Sequence, residues 1–379
     1  MRAAAEKRKP GGAKRPTREP VDRDLGLRTR LLAWYDRHRR DLPWRHARDA
    51  YAVWVSEVML QQTQVATVLR YFPEWMRRFP TVEALARAPE SAVLHAWQGL
   101  GYYSRARRLQ AGARVVVERH GGRIPRDHAA LLALPGIGAY SAGAIASIAF
   151  GERQPLVDGN VVRVLTRVFG LGGDPTKLPL RRTLWELARR LVPADRPGDF
   201  NQALMELGAT VCTPRGARCD GCPLEAGCEA RRRGLVERLP ELRARVSPTK
   251  VRVAAAVVRE RGRVLVVQLP SDAPRWAGLW TFPHAELVAG EAPEGAAERA
   301  AREQAGKEVR IVRPLTRLTH SITRFRISIE VFEAVLAAGR SRKSVAPHGE
   351  SALVPPAELA ERAMPSPHRK LARMLFEEA

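Results

Sequence analysis

From about residue 25 to residue 228, apolar side chains recur at three- and four-residue steps, the period of a helix with one buried face. The pattern predicts helices over residues 31–39, 51–72, 81–88, 91–98, 104–119 and 180–191, and alternating strand patterns are nearly absent there. Residues 1–24 are basic, broken by Pro and Gly and without period, which predicts a disordered arm. Residues 231–250, RRRGLVERLPELRARVSPTK, carry two prolines and predict a basic linker. Beyond residue 250 the texture changes. VRVAAAVVRE, GRVLVVQLP and RFRISIEVFEAV are short β-branched runs between turns, whereas GAAERAAREQAG and HRKLARMLFEE have helical period. The expectation is a multidomain α and α+β chain, with an all-helical region over 25–230 and an α+β domain over 251–379.

Composition adds bounds. With 379 residues, 45% hydrophobic and 27% charged, the chain is expected to be globular with about two domains. No apolar run reaches the roughly 18 residues that span a bilayer, so no membrane is expected. The charged N-terminus lacks an apolar core, so no signal peptide is expected either. Four cysteines without a leader point to free thiols in a reducing cytoplasm. Lys and Arg outnumber Asp and Glu 64 to 40; residues 251–379 hold only 20 of the basic and 15 of the acidic residues, so most of the +24 lies upstream. A cationic surface concentrates polyanions, nucleic acid above all, although an Arg-rich proteome produces the same bias.

Three features carry candidate chemistry. Cys212, Cys219, Cys222 and Cys228 lie within seventeen residues in the spacing C-x6-C-x2-C-x5-C, which suits one metal centre, zinc or an iron–sulfur cluster. Leu134-Pro135-Gly136-Ile137-Gly138 stands between two helical stretches. Gly-x-Gly opening a helix leaves backbone N–H groups facing outward, so Gly136 and Gly138 read as a phosphate seat or as an ordinary turn. Two acidic residues suit glycosidic bond cleavage, which needs an acid and a stabilising anion. Glu57 has Val53, Trp54, Leu60 and Gln61 as helical neighbours, a mostly apolar face on which a carboxyl would hold a proton; the alternative is the polar edge of a core helix. Asp158, ahead of Gly159-Asn160, reads as an ionised anion or as a plain helix cap.

The blocks SEVMLQQTQVATV, WQGLGYYSRARRL, LPGIGAYSAGA, VDGNVVRVL and FNQALMELGA, with the cysteine run, resemble successive blocks of the adenine DNA glycosylase (MutY) family, within the endonuclease III or helix-hairpin-helix superfamily. The resemblance spans about residues 41–228. It implies a helix-hairpin-helix glycosylase region and a [4Fe-4S] cluster on the four cysteines, with Arg215, Arg218 and residues 231–233 facing phosphates. It implies that Glu57 protonates adenine N7, that Asp158 faces the oxocarbenium ion, and that Tyr140 and Asn160 support the site. Arg45 and Glu206 match positions that contact the adenine edge. Gln62, Thr63 and Tyr102 match residues that enter or pry open the base stack. Bifunctional relatives carry a catalytic Lys where this chain has Tyr140, which implies a monofunctional enzyme. The implied partner is double-stranded DNA with adenine opposite 8-oxoguanine or guanine, acted on by a monomer in the bacterial cytoplasm and nucleoid.

WAGLWTFP, residues 276–283, resembles the same family's C-terminal Nudix-like domain. A Nudix pyrophosphatase needs several carboxylates on one helix. The stretch AERAAREQAG offers Glu298 and Glu303 but has Ala300 and Gln304 where acids are wanted, which implies a recognition module for 8-oxoguanine. The family commonly uses a Phe-Ser-His loop there; the matching residues here are Ile322, Thr323 and Arg324, of which Thr323 and Arg324 can still hydrogen-bond.

Overall fold

A computed structural model describes residues 19–46, 49–242, 247–322, 324–337 and 350–376. Its helices are α1 (Glu19–His38), α2 (Ala50–Leu60), α3 (Val65–Arg78), α4 (Val82–Arg87), α5 (Glu90–Ala96), α6 (Ser104–His120), α7 (His128–Leu132), α8 (Ala139–Ile148), α9 (Gly159–Phe169), α10 (Leu178–Leu191), α11 (Pro197–Thr210) and α12 (Glu229–Arg232). Strands β1 (Thr249–Glu260), β2 (Arg263–Gln268), β3 (Trp280–Thr281) and β4 (His284–Glu286) follow. Then come α13 (Pro293–Ala305), β5 (Val309–Ile322), β6 (Phe325–Leu336), β7 (Ser351–Val354) and α14 (Ser366–Phe376). No described helix is long and apolar enough to cross a membrane.

The chain divides into two compact units, one of residues 1–41 and 142–242 and one of 42–141 and 243–379. In the first, α9 packs on α10, α11 and α12, and α1 packs on α11. Leu31 and Tyr35 of α1, Val164 and Leu165 of α9 and Phe200 and Leu204 of α11 fill its core.

The second unit holds a helical part and a sheet. α2 packs on α3 and α6 around Trp54, Met59, Trp75 and Trp97. The sheet runs β3-β2-β1-β6-β5, with β1 and β6 parallel. Strand β1 is buried on both faces, which is why it reads as an apolar run instead of an alternation. Val253, Ala255 and Val257 face the core that includes Leu371 of α14, and Ala254, Ala256 and Val258 face the alanines of α13.

Three expectations are corrected. The helix read over 51–72 is two helices, because Gln61–Gln64 turns the chain and Gln62 takes a left-handed φ of 57°. Residues 19–24, assigned to the arm, open α1; residues 1–18 lie outside the described residues. The third is β5, which the pattern analysis missed. Its Pro314 reads against a strand, but it sits at a register shift opposite β6, where no ladder N–H is demanded. Thr323, named as a candidate, lies outside the described residues.

Candidate active site

Glu57 has no polar edge to occupy. Every residue of α2 from Tyr51 to Met59 is buried, and Glu57 itself is 5% exposed. A helix apolar on all sides belongs inside a core, so a carboxyl within it needs a partner. One partner is Tyr140, whose hydroxyl donates to Glu57 Oε2 at 2.5 Å. Tyr140 is the second residue of α8, just past the hairpin, and its neighbour Ser141 accepts from Gln61 Nε2 at 3.4 Å. The hairpin therefore carries one end of the Glu57 contact.

The hairpin geometry explains both of its glycines. Gly136 has a left-handed φ of 81°, and a Cβ there would meet Arg108 Cβ at 2.7 Å. Gly138 has nothing within 4 Å of where a Cβ would stand, so its backbone is open to an approaching group. α8 begins one residue later, with its first N–H groups unpaired by the helix itself.

Two of the four described non-glycine residues with positive φ flank this helical part: Gln62 follows α2, and Tyr102, φ 46° and 40% exposed, precedes α6. Thr63 accepts from the Arg105 guanidinium at 3.1 Å. Arg45 closes the short 3-10 turn Pro43–Arg45, whose Trp44 is buried against Phe72.

In the first unit Asp158 caps α9. One carboxylate oxygen accepts from the Val161 N–H at 2.7 Å and the other from Asn160 Nδ2 at 2.8 Å. Burial pushes Asp158 above its usual range, against those hydrogen bonds and the charge of Arg163. Asn160 is held in turn by Arg163, at 2.8 Å, which also donates to the carbonyls of Gly208 and Cys212. The structure thus shows the cap reading of Asp158. Glu206, 1% exposed, is gripped by Arg40 at 2.7 and 2.9 Å and by the Arg40 N–H at 3.1 Å. The sequence reading named Glu206 but not this arginine.

The four cysteines line one small cavity with Val164 and Leu207, and none is in a disulfide. Burial pushes Cys219 and Cys228 above the usual thiol range and Cys222 up to about 12. Arg167, 2% exposed, donates to Cys212 Sγ at 3.4 Å and to the Thr213 carbonyl at 2.7 Å. Among the described residues, no three His, Cys, Asp or Glu side chains converge to hold one ion. Arg231 pairs with Asp220 at 2.7 Å and Arg232 with Glu229 at 2.6 Å, so the loop offers paired charges there.

In the sheet domain, Arg324 lies over the Phe325 ring at 5.1 Å and is exposed. Ile322 pairs with Phe325 as the last step of the β5–β6 hairpin. The helix that a pyrophosphatase would use is otherwise engaged. Gln304 exchanges two hydrogen bonds with the His284 backbone, Glu298 accepts from the Ile311 N–H at 3.2 Å, and Ala300 is fully buried.

Comparison with known proteins separates the helical region from the sheet domain. Residues 55–190 match the HhH-GPD superfamily of base excision DNA repair proteins, and residues 253–374 match the NUDIX domain. The chain is 46% identical over 311 residues to an adenine DNA glycosylase of Homo sapiens, covering 68% of this chain and 57% of that protein. With an adenine DNA glycosylase of Arabidopsis thaliana it shares 41% over 317 residues, covering 73% and 49%. The chain thus spans about half to three-fifths of the length of these relatives. A solved thermostable thymine-DNA glycosylase superposes with a TM-score of 0.53 at 34% identity, over 56% of this chain and 99% of that one.

Proposed function

Because the chain belongs to the HhH-GPD superfamily of base excision DNA repair proteins, in its adenine DNA glycosylase family, we propose that it is a monofunctional glycosylase removing adenine opposite 8-oxoguanine or guanine. The observation that carries this reading is Glu57, a carboxyl enclosed in an apolar helix and oriented by the Tyr140 hydroxyl at 2.5 Å. In the proposed reaction adenine leaves the stack, at a cost that is lower for a mispair. Glu57 gives its proton to adenine N7. The C1′–N9 bond breaks, its electron pair leaving with the base, and Asp158 offsets the positive sugar. Water then adds at C1′ and loses a proton, leaving an abasic site. Tyr140 and Asn160 orient the two carboxylates, while Arg45 and Glu206 read the adenine edge. Tyr140 stands where a lyase needs an amine, and a phenol forms no Schiff base.

The open backbone at Gly138 and the unpaired N–H groups of α8 suit a DNA phosphate. Gln62, Thr63 and Tyr102 enter the stack, and Arg324 faces the oxidised base. Cys212, Cys219, Cys222 and Cys228 line one cavity and would hold the [4Fe-4S] cluster that the family resemblance implies, whose cationic irons would offset the cost of burying thiolates. Bound there, the cluster would brace the loop that carries the arginines. We place the enzyme in the cytoplasm as a monomer.

The test uses synthetic duplexes with adenine opposite 8-oxoguanine, guanine or thymine. Excision, read as alkali-labile sites, should be fastest opposite 8-oxoguanine. Borohydride should trap no covalent adduct. Absence of adenine release from every duplex would overturn the assignment, and efficient trapping would overturn its monofunctional part.

A further inference from the structure

Arg105, in the first turn of α6, is 8% exposed, and none of its hydrogen-bond acceptors is a carboxylate. Its two terminal nitrogens serve six acceptors on three stretches of chain. Nη1 donates to the carbonyls of Val58 at 2.8 Å, Met59 at 2.9 Å and Gln61 at 2.5 Å. Nη2 donates to Thr63 Oγ1 at 3.1 Å and to the carbonyls of Leu100 at 2.9 Å and Gly101 at 3.1 Å. The rings of Trp97 and Tyr102 lie 5.2 and 5.8 Å from the guanidinium carbon.

The acceptors have a pattern. Val58 and Met59 lie in the last turn of α2, where helix carbonyls lack partners within the helix and a cation meets the negative end of the dipole. Gln61 and Thr63 flank Gln62, and Leu100 and Gly101 lead into Tyr102. Those two residues are two of the four described non-glycine residues with left-handed φ, at 57° and 46°, a conformation that costs a non-glycine residue on the order of 1 kcal/mol. Such strain persists only where the surroundings over-determine it.

Burying a guanidinium without a counter-ion is itself costly. Burial pulls Arg105 down to about 10, which leaves it charged at neutral pH, and its Nε has no partner. An apolar side chain would fill the volume without that cost. What the planar fork supplies is four N–H bonds, fixed in one plane and shared among six acceptors.

We infer that Arg105 is a positioning residue that locks the Gln62 and Tyr102 turns into one rigid unit and fixes both to the end of the helix carrying Glu57. Its effect on catalysis rests on the glycosylase reading; its effect on the two loops does not.

The test compares full-length wild type with Arg105→Lys, which keeps the charge but not the fork, and Arg105→Met, which keeps neither. Hydrogen–deuterium exchange of the free protein should quicken by about tenfold or more in peptides over 61–64 and 99–103 together, with α9 unchanged. Single-turnover excision should fall on the order of tenfold to a hundredfold, the size of a small misplacement. Placed on a Gln62→Ala, Tyr102→Ala background, Arg105→Lys should cost less than twofold further. Exchange that rises in one loop only, or in neither, overturns the inference, as does a full additive loss on the double background. Should Arg105→Met not fold, Arg105→Lys decides. If the wild type excises no adenine, the functional reading fails while the exchange data still judge Arg105.

Discussion

Glu57 and Asp158 are the same functional group set into opposite surroundings. Glu57 stands in the middle of a helix buried on every side, and the hydroxyl of Tyr140, on α8, reaches it. Asp158 stands at a helix start, where a backbone N–H and a side-chain amide both donate to it. Packing encloses the first; at the second, oriented N–H donors work against the burial that raises the carboxyl. A carboxyl among apolar side chains suits the handing over of a proton, while one met by several donors suits a charge that must persist. The proposed reaction would use these two surroundings for two roles of one chemical group.

The comparison is broken most severely by removing the transferable proton. Glu57→Gln keeps the shape and can still accept from Tyr140, so folding and duplex binding should persist. Single-turnover excision should drop by about 10²–10⁴, the usual worth of a general acid. A variant that retains more than a tenth of the wild-type rate would show that the buried carboxyl is not the acid.

Asp158→Asn separates charge from cap. Asn caps a helix as well as Asp, so stability should hold, while excision falls about 10²–10³ with the lost anion. Asp158→Ala should lose about 1 kcal/mol of stability besides. The pH dependence follows from burial, which raises the folded-state value above 3.8. Protonation is then easier in the folded than in the unfolded chain. The group's burial penalty weighs on stability at neutral pH and is relieved as pH falls through the raised value. Activity runs the other way, lost over that same acid window, and Asp158→Asn should remove both trends. Identical pH–rate and pH–stability profiles for Asn and wild type would sink this account.

Much of this was legible in the residues. The cysteine spacing, the Gly-x-Gly hairpin and the Asp158 cap are local motifs, and local motifs survive into the fold because they need no distant partner. The break after Leu60 could have been seen as well, since Gln61, Gln62, Thr63 and Gln64 interrupt the apolar stripe. What could not be read was long-range pairing. Arg40 reaches Glu206 across 166 positions, and Arg105 finds its acceptors up to 47 positions away, with nothing in SRARRL to mark it among its neighbours. The strand β5 was hidden by Pro314, whose tolerance depends on a register shift that only the paired strand reveals. Patterning reports burial and local backbone; it does not report which buried cation serves which loop.

The finest test removes one orienting donor from each carboxylate. Tyr140→Phe deletes the hydroxyl that donates to Glu57 at 2.5 Å. Asn160→Ala deletes one donor to Asp158, which keeps the Val161 N–H at 2.7 Å. Arg163, freed of Asn160, keeps the Gly208 and Cys212 carbonyls, so the helix start should hold its shape. Removing a charge-assisted hydrogen bond is worth about 1.5–3 kcal/mol, and redundancy among donors lowers the cost. Tyr140→Phe should therefore slow single-turnover excision about tenfold and Asn160→Ala about threefold. If the order were reversed, the packed carboxyl would be the better supported of the two, and the contrast between a site made by burial and a site made by dipoles would have to be redrawn with the donors of α9 as the more demanding partner.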